Sequence, residues 1–415
     1  MDLRGLMGVL GMMGKRVDRG SKLFYTGFSL EDRVPAGHPL RLVDAAVDFA
    51  FVRPEVSHLY GRNGNESIDP ALLLKLMFLA YFEDVRSERE LMRILPLRLD
   101  WLWFCGLDLD DEIPDHSVLS KARRRWGVEL FERVFTHVLG RCERSGLVGG
   151  DTVHADSTLL RANAARDGRV PRRLWEQLEE GLDAEKADDE EPRGGKLNRR
   201  LVSPTDPDAA THTRSAVGTV LGYRDHRLVD DDFGVILATH ATPADGDDGA
   251  QLPVLLGQMR TRLGRLPREA VGDGQYGTRE NYARCEELGI RPYLKKRRGK
   301  DSPKVGWLSL LPAGCSRWRA LELMARRKAC AEGSFAEAHE RHGHRRCRWR
   351  RRWRVQIGCY LVATVQNIKK LIKARPRPAH EDAAAVAAVS RRVWVHRLTA
   401  KGHHRQPRPL VVGGL

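Results

Sequence analysis

The sequence predicts an α/β protein in two parts: an all-helical N-terminal region, then a larger region built on a mixed sheet. Three observations predict this. Apolar residues between Leu40 and Arg125 recur at helical spacing, the period changes to that of strands after Gly146, and from there the order is strand, strand, strand, helix, strand, helix. With 415 residues, 41% of them apolar, the chain has enough material for two or three domains with their own cores.

The helical region is legible from its stripes and caps. Leu40, Leu42, Val43, Ala46, Val47 and Ala50 form one apolar face. Asp69 followed by Pro70 opens a second helix, with Asp69 as N-cap and Pro70 in the first helical position, and Leu72, Leu73, Leu76, Leu79, Ala80 and Phe82 follow. Ser87 and Glu90 have the spacing of a capping box ahead of a helix over Glu88 to Ile94. After the aromatic run Trp101 to Phe104 and an acidic loop, Pro114-Asp115-His116-Ser117 starts a helix that carries Lys121, Arg123, Arg124 and Arg125. Short helices ending in a basic one are compatible with a helix-turn-helix module, and these four cations are candidate DNA contacts.

In the second region a strand over about 152–160 precedes a polar, charge-mixed insert over 164–210. Strand signals resume at Val220 to Val229 and Gly234 to Ala241, joined by the turn Asp230-Asp231-Asp232. A helix from Ala250 to Leu263, a short strand ending at Asp273, a helix from Arg279 to Leu288 and a strand at Arg291 to Leu294 complete the pattern. Three antiparallel strands, a crossover helix and a parallel strand make the plan of a ribonuclease-H-like core. That plan sets the ends of its first and fourth strands side by side, and so brings Asp156 towards Asp273.

Composition narrows the function. Seventy-one Lys and Arg against 55 Asp and Glu give a formal charge of +16, which favours a polyanionic partner, nucleic acid first and an acidic membrane surface second. Seven scattered cysteines without a C-x-x-C pair fit reduced thiols in a cytosol. The apolar stretch Leu6 to Met13 is too short to span a bilayer. The Met/Gly-rich start suggests an upstream start codon, with Met12 or Met13 as the alternative.

Three acids stand in chemically suggestive places. Asp156 lies in the strand Val-His-Ala-Asp-Ser-Thr-Leu-Leu, where a lone carboxylate among apolar neighbours is costly. Asp151, five residues upstream and on the other strand face, reads as a turn residue. Asp273 precedes Gly274 and Gly277, which permit close backbone approach. Glu332 borders the helical stripe Ala331, Phe335 and Ala338, with Lys328 four residues before it and His339 seven after. Carboxylates converging from two strand ends and a helix can hold two divalent cations. Each acid taken alone also has an ordinary reading, as a capping, turn or surface residue. Downstream, Arg345, Arg346, Arg348 and Arg350 interleave with Trp349 and Trp353, a pattern suited to phosphate clamping and base stacking. Cys330, His342, His344 and Cys347 match no standard zinc spacing.

With these residues the chain resembles bacterial insertion-sequence transposases of the DDE type over about Lys22 to Leu371. The likeness rests on Asp32-Arg33-Val34-Pro35, His38-Pro39-Leu40-Arg41, Ser67-Ile68-Asp69-Pro70, Arg86-Ser87-Glu88-Arg89 and Pro114-Asp115-His116-Ser117 in the helical part. In the second part it rests on Ala155-Asp156-Ser157-Thr158, Leu221-Gly222-Tyr223-Arg224-Asp225-His226, Thr242-Pro243-Ala244-Asp245, Asp273 with Tyr276-Gly277, Arg326-Arg327-Lys328 with Glu332 and Phe335, and Gln366-Asn367. The family often has Lys where His339 stands, and a longer Cys-bearing segment before the glutamate.

Composition marks an extension over 1–22 and a basic, poorly ordered tail over 372–415, and the resemblance implies a helical DNA-binding domain over 23–130 and a ribonuclease-H-like catalytic domain over 145–371. It implies Asp156, Asp273 and Glu332 as catalytic residues holding two Mg²⁺ ions, with Mn²⁺ able to substitute. It further implies cleavage and strand transfer at terminal inverted repeats, double-stranded DNA as partner, a homodimer on DNA and a cytoplasmic, nucleoid-associated protein without a membrane. A catalytically inactive copy that only binds DNA ends, or a nuclease of the same fold, remain the alternatives.

Overall fold

The computed structural model describes residues 29–61, 67–179, 197–214, 218–296 and 307–374. The expected extension over 1–22 and the chain from 375 onward lie outside these residues.

The N-terminal helices that matter here are α1 (Pro39–Ala46), α2 (Pro70–Phe82), α3 (Glu88–Ile94), α4 (Leu99–Cys105) and α5 (Ser117–Arg144). α1 buries Leu40, Val43 and Ala46 and stops at Val47, so the expected stripe breaks before Ala50. Asp69 caps α2 by accepting from Ala71 N at 2.9 Å and also pairs with Arg53 at 2.6 Å. α2 is apolar on nearly every side, burying Leu73, Leu74, Leu76, Met77, Phe78 and Leu79, as befits the central helix of a bundle. At α3 only half of the capping box forms. Ser87 accepts from Glu90 N, while the Glu90 carboxylate turns to Arg93 at 2.5 Å.

α5 differs from the short basic helix that the sequence suggests. It runs for 28 residues with a kink at Gly127, where φ is 69° and ψ is −179°. Its second half buries Phe131, Val134, Phe135, Val138, Leu139 and Cys142, packing on the last helix of the fold.

The sheet is built from β1 (Thr152–Arg161), β2 (Gly218–Asp230), β3 (Ile236–Pro243), β4 (Glu269–Gly277) and β5 (Arg291–Lys296), in the order β3-β2-β1-β4-β5. β2 is antiparallel to both β1 and β3, and β4 runs parallel to β1 and to β5. This is the ribonuclease-H-like arrangement. The described parts of the 164–210 segment add a helix, Arg172–Glu179, and a two-stranded pairing of Val170–Pro171 with Leu201–Val202. A further strand, Ala210–Arg214, pairs with the first residues of β2. Gly222 is needed where β2 passes β1, since a Cβ there would meet Leu160 O at 2.0 Å.

Helix α6 (Leu252–Leu263) makes the crossover from β3 to β4, and α7 (Arg279–Glu287) joins β4 to β5. α8 (Arg317–Arg327), a π-helical turn (Lys328–Glu332), α9 (Gly333–Arg341) and α10 (Arg352–Ala374) follow. β4 does not end at Asp273 but continues to Gly277, with its register against β5 shifting between Gly272 and Gly277. α10 extends to Ala374 with Leu371 buried, so the chain is still helical where the tail was expected to begin at 372. No helix of the described residues is long and apolar enough to cross a membrane.

α10 seals the outer edge of β3 with two side-chain amides. Asn367 accepts from Ile236 N at 2.8 Å and donates to Ile236 O at 2.9 Å. Gln356 accepts from Ala241 N at 2.6 Å and donates to Thr239 O at 3.1 Å. Eleven residues of helix span about 16 Å and five residues of strand about 17 Å, so the two amides keep step with the strand. The edge that would otherwise be an open template for pairing is closed.

Inside the fold, Asp225 and Arg227 are fully buried and paired at 2.9 Å. Asn367→Ala should lower stability by about 2–4 kcal/mol, because Ile236 keeps a buried donor and acceptor without partners. Asp225→Ala should cost about 3–5 kcal/mol by leaving Arg227 uncompensated. Both follow from chemical-denaturation midpoints, and an unchanged midpoint for either variant would contradict the assignment.

Candidate active site

Asp156 and Asp273 are brought together by the parallel pairing of β1 with β4. Ala155 stands opposite Gly272 in that register, so the next residue on each strand is one of the two aspartates. The pairing stops there, and the Asp273 carboxylate folds over the following turn to accept from Gln275 N at 2.9 Å. Asp156 accepts from Ser157 N at 2.9 Å, and its side chain is only 13% exposed.

Glu332 arrives from the other side, at the end of the π-helical turn. The turn changes its neighbour. In an α-helix the residue four positions earlier, Lys328, shares a face with Glu332, but a π-turn aligns residues five apart. Arg327 therefore reaches Glu332 at 2.7 Å and Asp156 at 3.1 Å, bridging the two acids, while Lys328 is exposed. Nothing in the sequence marks the extra residue in the turn, so helical spacing points to Lys328 and the structure puts Arg327 in its place.

The electrostatics report a crowded set of carboxylates. Burial pushes the Asp156 carboxyl up to about 6; the Arg327 charge and the Ser157 amide pull it down, and the charges of Asp273 and Glu332 raise it again. All three acids thus lie within interaction range. An all-oxygen set of three carboxylates is the donor chemistry of a hard divalent cation, and the Arg327 guanidinium is a cation lodged between two of them. The donor type suits such an ion, while the three carboxylates do not gather within 4.8 Å of one another.

His339 faces this region from α9, with its Nε2 3.3 Å from Thr158 Oγ1. Burial, with the charges of His344, Arg227 and Arg345, holds its ring down at about 4. The ring is therefore held neutral near pH 7, unlike the Lys that the family often has at this position. Three other candidates are also corrected. Arg123 is buried, paired with Glu88 at 2.5 Å and stacked 4.0 Å over the Trp349 ring. Arg348 donates to Ala80 O and Val85 O and lies 3.9 Å over Tyr81. Trp349 is wedged between Arg123 and Tyr81. These side chains join the helical region to the sheet region, and their charge and rings are spent inside the protein.

Lys121, Arg124, Arg125, Arg345, Arg346 and Arg350 are exposed. The four Cys and His residues set aside for zinc do not converge. Cys330 groups instead with His154 and Asp231, and His344 with Asp225 and Cys359. Asp231 is already held by His154 at 2.7 Å and Arg326 at 2.9 Å.

Residues 28–125 match the family described as Transposase domain (DUF772), and residues 202–368 match the Transposase DDE domain. The second span contains Asp273 and Glu332; β1 with Asp156 precedes it. No curated protein matches the chain. Among solved structures, the piggyBac transposase synaptic complex with hairpin DNA is similar at 9% identity, covering 88% of this chain and 74% of that one with a TM-score of 0.35. The Mos1 transposase paired-end complex with left transposon end is similar at 12% identity, covering 63% and 78% with a TM-score of 0.19. Together the two family matches span well over half of the sequence, and the chain belongs to the DDE-type transposases, a family whose chemistry uses divalent metal ions.

Proposed function

We propose that this transposase cleaves and joins DNA at the terminal inverted repeats of an insertion sequence, with Asp156, Asp273 and Glu332 as its catalytic carboxylates. The bridging of Asp156 and Glu332 by Arg327, with Asp273 on the strand beside Asp156, supports the reading. When bound, two Mg²⁺ ions, or Mn²⁺ in their place, would supply Lewis acidity and an activated attacking oxygen. The chain's own part is to hold the acids in place. Asp156 and Asp273 are fixed on adjacent strands, and Glu332 is held at the end of a helix turn. Arg327 offsets the repulsion between the Asp156 and Glu332 carboxylates, which would hold the metal with Asp273. It can then turn to a backbone phosphate beside the reacting one.

Double-stranded DNA, as element ends and as target, would lie along the exposed cations. Lys121, Arg124 and Arg125 on α5 form one set, and Lys328, Arg345, Arg346 and Arg350 a second in the sheet region. Phosphate contacts of this kind position a duplex without reading its sequence. A homodimer on DNA would pair the two element ends. His339 contributes as a neutral hydrogen-bonding group beside Thr158.

Asp156→Asn, Asp273→Asn and Glu332→Gln should each abolish Mg²⁺-dependent cutting of duplexes carrying the DNA that flanks the gene, with binding of those duplexes retained. Full activity in any one variant removes that residue from the site. Joined products would exclude a simple nuclease, and binding without breakage in both Mg²⁺ and Mn²⁺ would support an inactive end-binding copy. Arg327→Ala should tighten Mn²⁺ binding in the absence of DNA by roughly tenfold, the effect of about 1.4 kcal/mol of lost charge competition. Titration followed by electron paramagnetic resonance reads this directly, and weaker binding would contradict the bridging role.

His339 gives a pH test. Its folded value of about 4 lies below its ordinary 6.5, so as pH falls the unfolded chain takes up the proton first. Its contribution to stability is present above about 6.5 and is lost as pH drops towards 4. His339→Gln should therefore flatten the acid side of the stability curve over that window and leave DNA affinity at pH 7 unchanged. A charge-like loss of affinity at pH 7 would show that the ring is protonated there.

A further inference from the structure

Beside the acid cluster lies an open groove of about 820 Å³, lined among others by Thr158, Arg161, Arg166, Val220, His339 and Arg345. It starts where the acids end. Thr158 is two residues beyond Asp156 on β1 and so shares its strand face. One wall is fixed by the backbone: Arg161 N donates to Arg345 O at 3.1 Å, and Cys347 N donates to Arg161 O at 2.8 Å. The segment around Arg346 is thereby pinned to the end of β1. The opposite wall is the start of β2 and the chain that follows β1.

The groove is one-sided in charge. Among the described residues Arg161, Arg345 and Arg346 make no ion pair, and Arg346 donates to Asn163 Oδ1 at 3.5 Å. The one carboxylate among the described lining residues, Asp167, is exposed and paired with Arg166 at 3.1 Å. Like charges gathered without counter-charge oppose folding, so an anion from outside is the natural complement. Among the described lining residues no Phe, Tyr or Trp is present and His339 offers a ring at the mouth alone, so the sugar-phosphate backbone is the main grip. Its volume is that of a site for one drug-sized ligand, enough for a short run of single strand and too small for a duplex.

We propose that this groove holds an unpaired stretch of the DNA strand leading away from the cut, gripped through its phosphates by Arg161, Arg345 and Arg346. The proposal rests on the reading of the protein as acting on DNA, and assigns it a strand-separated substrate next to the acids. Arg161 is new here; only Arg345 and Arg346 stood out in the sequence. Arg166 and His339 shape the mouth of the groove, His339 as a neutral group.

The test uses the full chain and two fluorescent probes of arbitrary sequence, a blunt duplex and the same duplex ending in a single-stranded overhang of either polarity. Binding is followed by anisotropy across a salt series. The wild type should bind the overhang probe more tightly. The double variant Arg161→Ala/Arg345→Ala should lose that advantage, roughly tenfold in affinity, with the salt slope shallower by about 1.4 for two single-strand phosphate contacts. Blunt-duplex binding should weaken less than overhang binding, since of the two residues only Arg345 also belongs to the proposed duplex surface. Both side chains are exposed, and an unchanged thermal unfolding curve confirms that the variant is folded. Equal weakening on both probes, or no weakening, overturns the groove assignment while leaving DNA binding intact. A wild-type protein that bound neither probe would instead overturn the DNA reading, and the groove with it.

Discussion

The buried pair of Asp225 and Arg227 is the constraint on which the rest of the site depends. Two charges without solvent are tolerable only if every neighbour contributes a hydrogen bond. Asp225 receives Thr239 from β3 at 2.6 Å and His344 at 2.9 Å, besides Arg227. Burial pushes its carboxyl up, but Arg227 and His344 outweigh that and hold it well below the usual range. Arg227 in turn donates to Gln366 on α10 at 2.9 Å and lies 4.5 Å from the Phe335 ring on α9. Gln366 passes the link to Ser334 O at 2.8 Å and to Glu337, which Lys369 also holds. Arg227 stands directly opposite Asp156 in the β1–β2 register. The anchor of the glutamate helix is therefore set on the strand position facing the first aspartate.

That anchoring gives the π-helical turn its purpose. With α9 pinned by Phe335, Ser334 and Glu337, and α8 packed against β4 through Ala320 and Leu323, the chain between them is of fixed span. One additional residue per turn is absorbed at Lys328–Glu332. The consequence is chemical: a guanidinium rather than an ammonium is placed between the acids. A planar fork can bridge two carboxylates at once, as Arg327 does, where a Lys head would meet only one closely.

The strand order was legible because β1 to β5 carry strong period changes and turn residues, and the two aspartates sit on those strands. The partner of Glu332 was not, since a π-turn has no signature in residue types. The basic run from Arg345 to Arg354 was misleading for a related reason. Arginine density does not say which guanidinium faces water, and Arg348 is consumed by backbone carbonyls of the helical region. α10 was invisible as a helix because Val355 to Ile368 is buried on all sides, so no amphipathic stripe remains to be read. Gln366 and Asn367 were recognisable as a motif, yet their work, closing a strand edge and binding Arg227, is readable only once β3 and α10 are neighbours.

α10 also determines how the two regions relate. It packs on the β3 edge on one side and on α1, α2 and α5 on the other, and a single apolar cluster runs from Leu40 through Phe135 and Tyr360 to Leu228 and Ala155. Cys142 on α5 donates to Asn367 O, so the residue that closes the sheet edge also touches the helical bundle. Arg262 on α6 reaches Glu132 on α5 at 2.6 Å across the same seam. A shared core of this kind resists hinge motion, because any rotation would open apolar surface and break buried amide bonds. The exposed cations at the start of α5 are thus held at a fixed distance and angle from Asp156. Under the proposed function, a duplex lying on α5 would present the same phosphodiester to the acids each time, so that rigid placement rather than contacts at the cut itself would select the cutting position.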